Sequence, residues 1–379
     1  MTDGTSNNPA QRKVRVAILF GGQSDEHDVS LRSAQTIMDA LDSERYEVVP
    51  VGITREGQWV ANGDPLKALQ AISPMYALGD GETEADDASG ETTASSEVVV
   101  LEVGGSGLPA GLTETVDIVF PALHGPKGED GTVQGMLELA GVPYIGSGVL
   151  GSAVAMDKAV TKNLLTQAGL PQVPWVQVLR RDWERDPEEI EQLVGERLGY
   201  PCFVKPANMG SSVGVGKARN PAELHDAMRE ASRFDRKIVI EQGVNAREIE
   251  LAVLGNDDPI VSVAGEVVPA GEFYDYNAKY IDDDAQLIIP AKIGREVLSY
   301  MQELAIAAFQ ALDLAGLARV DFFLERDTDR VFINEVNTIP GFTSISMYPM
   351  LWEASGVPLA ELVDRLIQLG VERNRDGHR

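Results

Sequence analysis

Cysteine is almost missing from this chain. A single residue, Cys202, among 379 excludes an internal disulfide and leaves a cysteine-based zinc centre without ligands. Basic side chains are scarce too. Lys and Arg number 32 against 59 Asp and Glu, a formal net charge of -27, so the chain lacks the dense cationic surface that a nucleic acid or an anionic membrane requires. Nowhere do ~18 apolar residues run together as a membrane-spanning helix would need, and the opening stretch MTDGTSNNPAQRK is polar where a secretory leader would be apolar. The expectation is a cytoplasmic enzyme in a reducing compartment, with no nucleic-acid and no membrane partner. Hydrophobic residues at 44% and charged residues at 24% are ordinary for a globular chain. The length exceeds the ~100–200 residues of a usual domain, which predicts two or three domains around a cleft.

Val14 to Phe20 (VRVAILF) is a short, continuously apolar run ending in Gly21-Gly22, the pattern of a parallel strand buried on both faces. Leu31, Ala34, Ile37, Met38 and Leu41 follow at helical spacing, and Val48 to Ile53 and Val116 to Pro121 read as further strands. An open parallel α/β sheet is expected over residues 1–146, behind a loose tail at 1–13. Residues 79–97 (GDGETEADDASGETTASSE) are acidic, nearly free of large apolar side chains, and predict a surface loop. The strand–helix alternation pauses at Gly146 to Gly151, which suggests a hinge. A second unit is placed at 147–240 and a third at 241–379. Within the third, Gly271 to Asp284 (GEFYDYNAKYIDDD) lacks periodicity and reads as a long loop over something.

The strongest chemical signal is ARVDFFLERDTDRVFINEVN, Ala318 to Asn337, two strands around a turn at Asp327 to Asp329. Period-two alternation places Arg319, Asp321 and Phe323 on one face of the first strand, and Val331, Ile333, Glu335 and Asn337 on one face of the second. Asp321, Glu335 and Asn337 are thus expected to converge. Carboxylates within apolar strands are costly unless paired or metal-bound, and two carboxylates with an amide oxygen suit Mg²⁺. The competing reading is a solvated hairpin edge with an Arg319–Asp321 ion pair. Phe203 to Gly216 (FVKPANMGSSVGVG) is a strand followed by a Gly- and Ser-rich loop whose amides could wrap phosphate oxygens. It is not a Walker loop, because Gly210 and Gly216-Lys217 enclose five residues and Ala218 follows; a plain hairpin tip is its alternative. Gly21 to Ser30 (GGQSDEHDVS) places Glu26 where open α/β sheets bind ligands, although a Glu ahead of a helix also simply favours the dipole. His124, in LHGPKGEDG, is by itself more often structural than catalytic.

Taken in order, FGGQSDEHDVS, LHGPKGEDG, GVPYIGS, DKAVTK, FVKPANMGSSVGV, FYDYNAKY, ARVDFF and NEVNTIPGFTSIS resemble the D-alanine:D-alanine ligase family of the ATP-grasp superfamily, from Val14 nearly to the end. The resemblance implies a three-domain α/β fold. Its parts would be an N-terminal open parallel sheet, a small central α+β domain and a larger C-terminal α+β domain with an antiparallel sheet, the last two gripping ATP. It implies that Lys158, Lys205 and Lys279 serve the nucleotide phosphates, and that Glu241 and Glu248 contact adenine and ribose. Ser212, Val244, Phe323 and Asn334 would complete the nucleotide site. Asp321, Glu335 and Asn337 would hold Mg²⁺ or Mn²⁺, two ions being expected. Glu26, with Ser211 and Tyr280, would take the first D-alanine, and His124 would lie near its carboxylate. Arg319 and the Gly341 amide would stabilise an oxyanion, and Ser346 would bind the second substrate's carboxylate. A homodimer is also implied.

The implied reaction needs no protein nucleophile. A carboxylate takes the γ-phosphoryl group of ATP to give an acyl phosphate, which the amine of a second D-alanine attacks, giving a dipeptide for cell-wall synthesis. Two departures stand out: Asn208 and Met209 replace an acidic residue common in relatives, and Glu241 to Val244 lacks the usual lysine and aromatic. Rival readings are a ligase with D-lactate as acceptor, against which Ala278-Lys279-Tyr280 speaks, one with D-serine as acceptor, and a non-catalytic ATP-binding interaction protein.

Overall fold

The computed structural model describes residues 12–61, 63–73, 112–268 and 286–377. The acidic stretch 79–97 and the expected loop 271–284, with Lys279 and Tyr280, lie outside the described residues.

The first unit is a four-stranded sheet in the order β3-β2-β1-β4. Strands β1 (Val14–Gly21), β2 (Tyr46–Ile53) and β4 (Ile118–Pro121) are parallel, and the short β3 (Trp59–Val60) is antiparallel to β2. Helices α1 (His27–Ala40), α2 (Pro65–Ala71), α3 (Leu112–Thr115) and α4 (Thr132–Ala140) belong to it. The continuously apolar sequence of β1 follows from its central place, with one face on each of two apolar clusters. Gly21 ends that strand at φ 89°, where a Cβ would come within 2.2 Å of the Ile53 carbonyl oxygen. Only glycine turns the chain there toward α1.

Two helices, α5 (Val149–Met156) and α6 (Lys158–Gln167), lead to the second sheet, order β5-β8-β6-β7. Its strands β5 (Trp175–Leu179), β6 (Cys202–Pro206), β7 (Gly216–Ala218) and β8 (Lys237–Gln242) are antiparallel. One face packs on α7 (Arg180–Arg185), α8 (Pro187–Arg197) and α9 (Pro221–Phe234) through Val178, Val194, Cys202, Val204, Met228 and Ile240. Helices α8 and α9 both open with a cap and a proline: Asp186 and Asn220 accept the Glu189 and Glu223 amides, and Pro187 and Pro221 follow. Alternation turns Phe203, Lys205 and Glu241 to the other face. Since β8 runs to Gln242, Glu241 belongs to this central sheet, which corrects the boundary drawn at 240/241. The cause is the three-strand pairing, which no local pattern announces.

The third sheet, order β11-β10-β9-β12-β13, is antiparallel throughout: β9 (Ala246–Gly255), β10 (Ile260–Val268), β11 (Gln286–Ile288), β12 (Gly316–Glu325) and β13 (Val331–Asn337). Helix α10 (Arg295–Ala311) covers one face with Met301, Ala305, Ala308 and Phe309, and Leu165 of α6 joins that core. On the opposite face, Ala252, Leu254 and Leu317 share a cluster with Val16, Ile18 and Phe20 of the first sheet. The chain closes with α11 (Met347–Ala354) and α12 (Leu359–Gly377), and Leu362, Val363 and Leu366 of α12 enter that same cluster. The first and third units therefore share a core, whereas the central sheet's helical side has one of its own. Among the described residues no helix is long and apolar enough to cross a membrane.

Candidate active site

The third sheet's second face is apolar at the Gly316 end and polar beyond it. There it floors a cavity of about 380 Å³ whose other walls are the central sheet and the ends of β1 and β4. Strand register builds the floor. Glu250 of β9, Asp321 of β12 and Glu335 of β13 stand side by side, with Arg319 opposite Asn337 one step along. The Arg319 guanidinium donates to both oxygens of Asp321 at 2.7 Å and lies 3.0 Å from Glu250, while Asn337 donates to Asp321 at 3.0 Å. Burial works against the charge of Arg319, but Asp321 and then Glu250 outweigh it, so its pKa is raised well above the ordinary value. The ion pair considered as a competing reading exists, yet it lies inside the cavity and not on a solvated edge: Asp321 is 8% exposed.

One expectation about this hairpin fails. Val331 and Ile333 do not share a face with Glu335 and Asn337; they are buried with Val336 in the core under α10. The pairing passes from Asp321↔Glu335 to Phe322↔Ile333, so Asn334 is an extra residue, a bulge that shifts the alternation by one. The bulge brings Asn334 to the cavity beside Glu335 and within 3.4 Å of the Lys205 ammonium. Phe323 and Glu248 are paired across β12 and β9 and also line the cavity.

The central wall carries the lysines. Lys158, at the first turn of α6, donates to the Met209 carbonyl at 2.6 Å. Asp157 holds that turn by accepting the Ala159 and Val160 amides, and it pairs with Lys237. Lys205 lies 2.8 Å from Glu241, and Glu241 lies 2.9 Å from Lys162 on the other side. Glu241 and Lys162 are each 2% exposed. Burial pushes the Glu241 carboxyl upward, but Lys162 and Lys205 pull it down to about 2. Its carboxylate is thus paired with both lysines. Ser211 and Ser212 take positive φ, 45° and 60°, in the β6–β7 loop, and Ser212 and Val244 also line the cavity.

On the third wall, Glu26 accepts a hydrogen bond from Ser211, tying the first unit to the central loop. Gly125 is required beside it, since φ is 73° and a Cβ would lie 2.6 Å from the Glu26 carboxylate. His124 is 4% exposed. Its Nδ1 donates to the Ile339 carbonyl at 3.0 Å, and Nε2 meets the Ser33 hydroxyl at 2.9 Å. Both ring nitrogens are engaged within the protein. Burial disfavours its protonation, but Glu129, 3.7 Å away, and Glu26 outweigh that and raise its pKa. Gly341 lines the cavity, and the hydroxyl of Ser346, at the start of α11, accepts from the Thr343 amide at 3.0 Å and meets the Thr343 hydroxyl at 2.7 Å.

Sequence reasoning passed over Lys162, Glu129 and Glu250. Each lay in plain sight: Lys162 is one helical turn after Lys158, Glu129 follows the His124 loop, and Glu250 is one strand period past Glu248. Among the described residues no group of three His, Cys, Asp or Glu side chains is gathered as a metal-holding set. The floor offers two carboxylates and an amide, Asp321, Glu335 and Asn337, as a donor set. That suits an ion which takes one or two carboxylates and completes its shell with phosphate oxygens and water.

Comparison with known proteins agrees with the geometry. A family model described as the D-ala D-ala ligase N-terminus matches residues 15–147, and one described as the D-ala D-ala ligase C-terminus matches 164–368. A D-alanine–D-alanine ligase from Geobacillus thermodenitrificans is 50% identical over 370 residues, 96% of this chain and 97% of the relative. Among solved structures, the D-alanine-D-alanine ligase of Coxiella burnetii superposes with a TM-score of 0.80 at 34% identity, covering 97% of each chain. The VanG D-Ala:D-Ser ligase of Enterococcus faecalis gives 0.79 at 33%, over 95% of this chain and 100% of that one.

Proposed function

The chain belongs to the D-alanine–D-alanine ligase family, and from that premise we propose that its cleft makes D-alanyl-D-alanine, with ATP as the driving substrate and peptidoglycan precursor synthesis as the destination. The observation that carries this reading is the convergence on one cavity of a lysine wall, Lys158 and Lys205, a carboxylate floor, Asp321 and Glu335, and Glu26 on the third side.

Each wall has a part in the chemistry. Glu26, oriented by Ser211, takes the ammonium of the first D-alanine. Lys158 and Lys205 face the phosphates, Glu248 the ribose, and Val244 and Phe323 the base, with Ser212 and Asn334 alongside. Glu241 acts through the lysines it holds. The carboxylate oxygen of the first D-alanine attacks the γ-phosphorus of ATP, the bond to ADP breaks, and an acyl phosphate results. The amine of the second D-alanine then attacks the acyl carbon. The oxyanion that develops faces Arg319 and the Gly341 amide, donors already fixed in a buried site, and collapse expels phosphate, which carries off the proton that the amine gives up. Ser346 binds the second carboxylate, and Lys279 and Tyr280 keep the roles that the resemblance assigns. Mg²⁺ or Mn²⁺, two ions by family resemblance, would be held by Asp321, Glu335 and Asn337 and would offset the repulsion between two anions brought together.

The buried single thiol, Cys202, suits a reducing cytoplasm, and we take the working form to be a homodimer by resemblance. The structural likeness to a D-Ala:D-Ser ligase makes acceptor choice the point to test. Purified protein with ATP, Mg²⁺ and D-alanine, competed with equal D-serine and D-lactate, should give D-alanyl-D-alanine, ADP and phosphate by mass spectrometry. A mixed dipeptide or a depsipeptide as main product would overturn the assignment.

A further inference from the structure

Lysines rarely lie fully buried without a reason, and Lys162 is 2% exposed at the back of the cavity wall. Glu241 stands between it and Lys205, 2.9 Å from the one and 2.8 Å from the other. With only Lys205, the glutamate would form a neutral pair, and Lys205 would have little field left for a phosphate. With both lysines the cluster carries a net positive charge, on the cavity side through Lys205, whose side chain is 13% exposed and also meets Asn334. Low-dielectric surroundings make that surplus charge felt over distance.

We propose that Lys162 is a positioning residue for nucleotide binding: it neutralises Glu241 from behind, so that Lys205 is held in place by the glutamate yet keeps its charge for a polyphosphate. This rests on the reading of Lys205 as a phosphate-facing lysine. The direction of titration at Lys205 agrees with it. Burial lowers the Lys162 pKa, with Glu241 opposing; at Lys205 the pull of Glu241 overcomes burial and raises it.

The test is a charge ladder read by ligand affinity. Calorimetric affinities for ADP and for adenosine, both with Mg²⁺, are compared in wild type, Lys162→Met, Glu241→Gln, the double variant Lys162→Met with Glu241→Gln, and Lys205→Met. Lys162→Met, which leaves the wall one charge short, should weaken ADP about tenfold, about 1.4 kcal/mol, and leave adenosine unchanged. The double variant restores the net charge and should return the ADP-to-adenosine ratio to within about threefold of wild type, about 0.6 kcal/mol. Should Lys162→Met fail to fold, the double variant still decides. A ratio about tenfold below wild type in the double variant, or an unchanged ratio in Lys162→Met, overturns the proposal, because a merely structural lysine would weaken both ligands together and gain nothing from the second change. If Lys205→Met leaves the ratio unchanged, it is the phosphate-facing reading of Lys205 that fails.

Discussion

Leu366 of α12 is fully buried in the core shared by the first sheet, the third sheet and the last two helices. Shortening it to alanine tests whether those units behave as one body. Packing there is close: at Gly370, one turn on, a Cβ would lie 2.9 Å from the Ile118 side chain and 3.0 Å from the Tyr144 carbonyl oxygen. A site with so little room to relax leaves a cavity, and Leu→Ala changes of this kind cost about 2.7–5.0 kcal/mol. Taking about 3 kcal/mol against a total of roughly 5–15, and about 2–4 °C per kcal/mol for a unit of ~150–250 residues, Tm should fall by about 6–12 °C. The distribution of the loss is more telling than its size. Hydrogen exchange should quicken together in β1, β12 and α12, while β6 and β8 of the central sheet keep wild-type protection. Val204→Ala, in the central sheet's own core, should do the reverse. If Leu366→Ala opens α12 alone and leaves β1 and β12 protected, the units do not share a core in the energetic sense argued above.

Three further outcomes follow from the cleft. Glu335→Gln keeps size and one acceptor oxygen but removes one floor carboxylate, and phosphate release should fall about 100-fold or more with the far-UV melt unchanged; turnover like wild type would put the metal elsewhere. Ser211→Ala removes the hydroxyl that orients Glu26; a hydrogen bond to a charged group is worth about 1.5–3 kcal/mol, so KM for the first D-alanine should rise roughly tenfold or more, whereas an unchanged KM with lower kcat would assign the serine elsewhere. For pH, Glu241 is held down to about 2 from an ordinary value of 4.5. A carboxyl depressed on folding contributes stability that is complete above the unfolded value and is lost as pH falls toward the folded one. Wild type should therefore lose Tm more steeply than Glu241→Gln between pH 4.5 and 2, and parallel curves would show that the lysines do not depress it.

What the sequence disclosed was whatever is encoded locally. The strand Val14–Gly21, the helix after it and the Arg319–Asn337 hairpin are periodic over consecutive residues, and period alone finds them. The bulge at Asn334 was invisible because an extra residue leaves no mark on composition, and it inverted the facing of Val331 and Ile333. Glu241 was placed in the wrong unit because β8 is defined by partners in β5 and β6, 60 and 40 residues or so earlier in the chain. His124 was singled out by resemblance alone, and the carbonyl of Ile339 and the hydroxyl of Ser33 that engage its ring come from distant segments. Resemblance supplied the family and its residue roles; it did not supply Lys162, whose meaning appears only when Glu241 is seen between two ammonium groups.

The arrangement of cores also says which walls of the cleft are fixed. One face of the third sheet is core at the Gly316 end, where Ala252, Leu254 and Leu317 meet the first sheet, and the polar floor of the cavity a few residues along the same strands, at Glu250, Arg319 and Asp321. A strand rises only about 3.3 Å per residue and is stiff over that span, so packing at one end sets the position of the carboxylates at the other relative to Glu26. The central wall is anchored differently. Its helical side is a separate apolar cluster, and it meets the first unit through a polar bridge, Ser211 to Glu26. Polar bridges are exchanged for water or ligand at far less cost than buried apolar surface. The Glu26 wall and the carboxylate floor thus stand on one apolar core, which the helical side of the central sheet does not join.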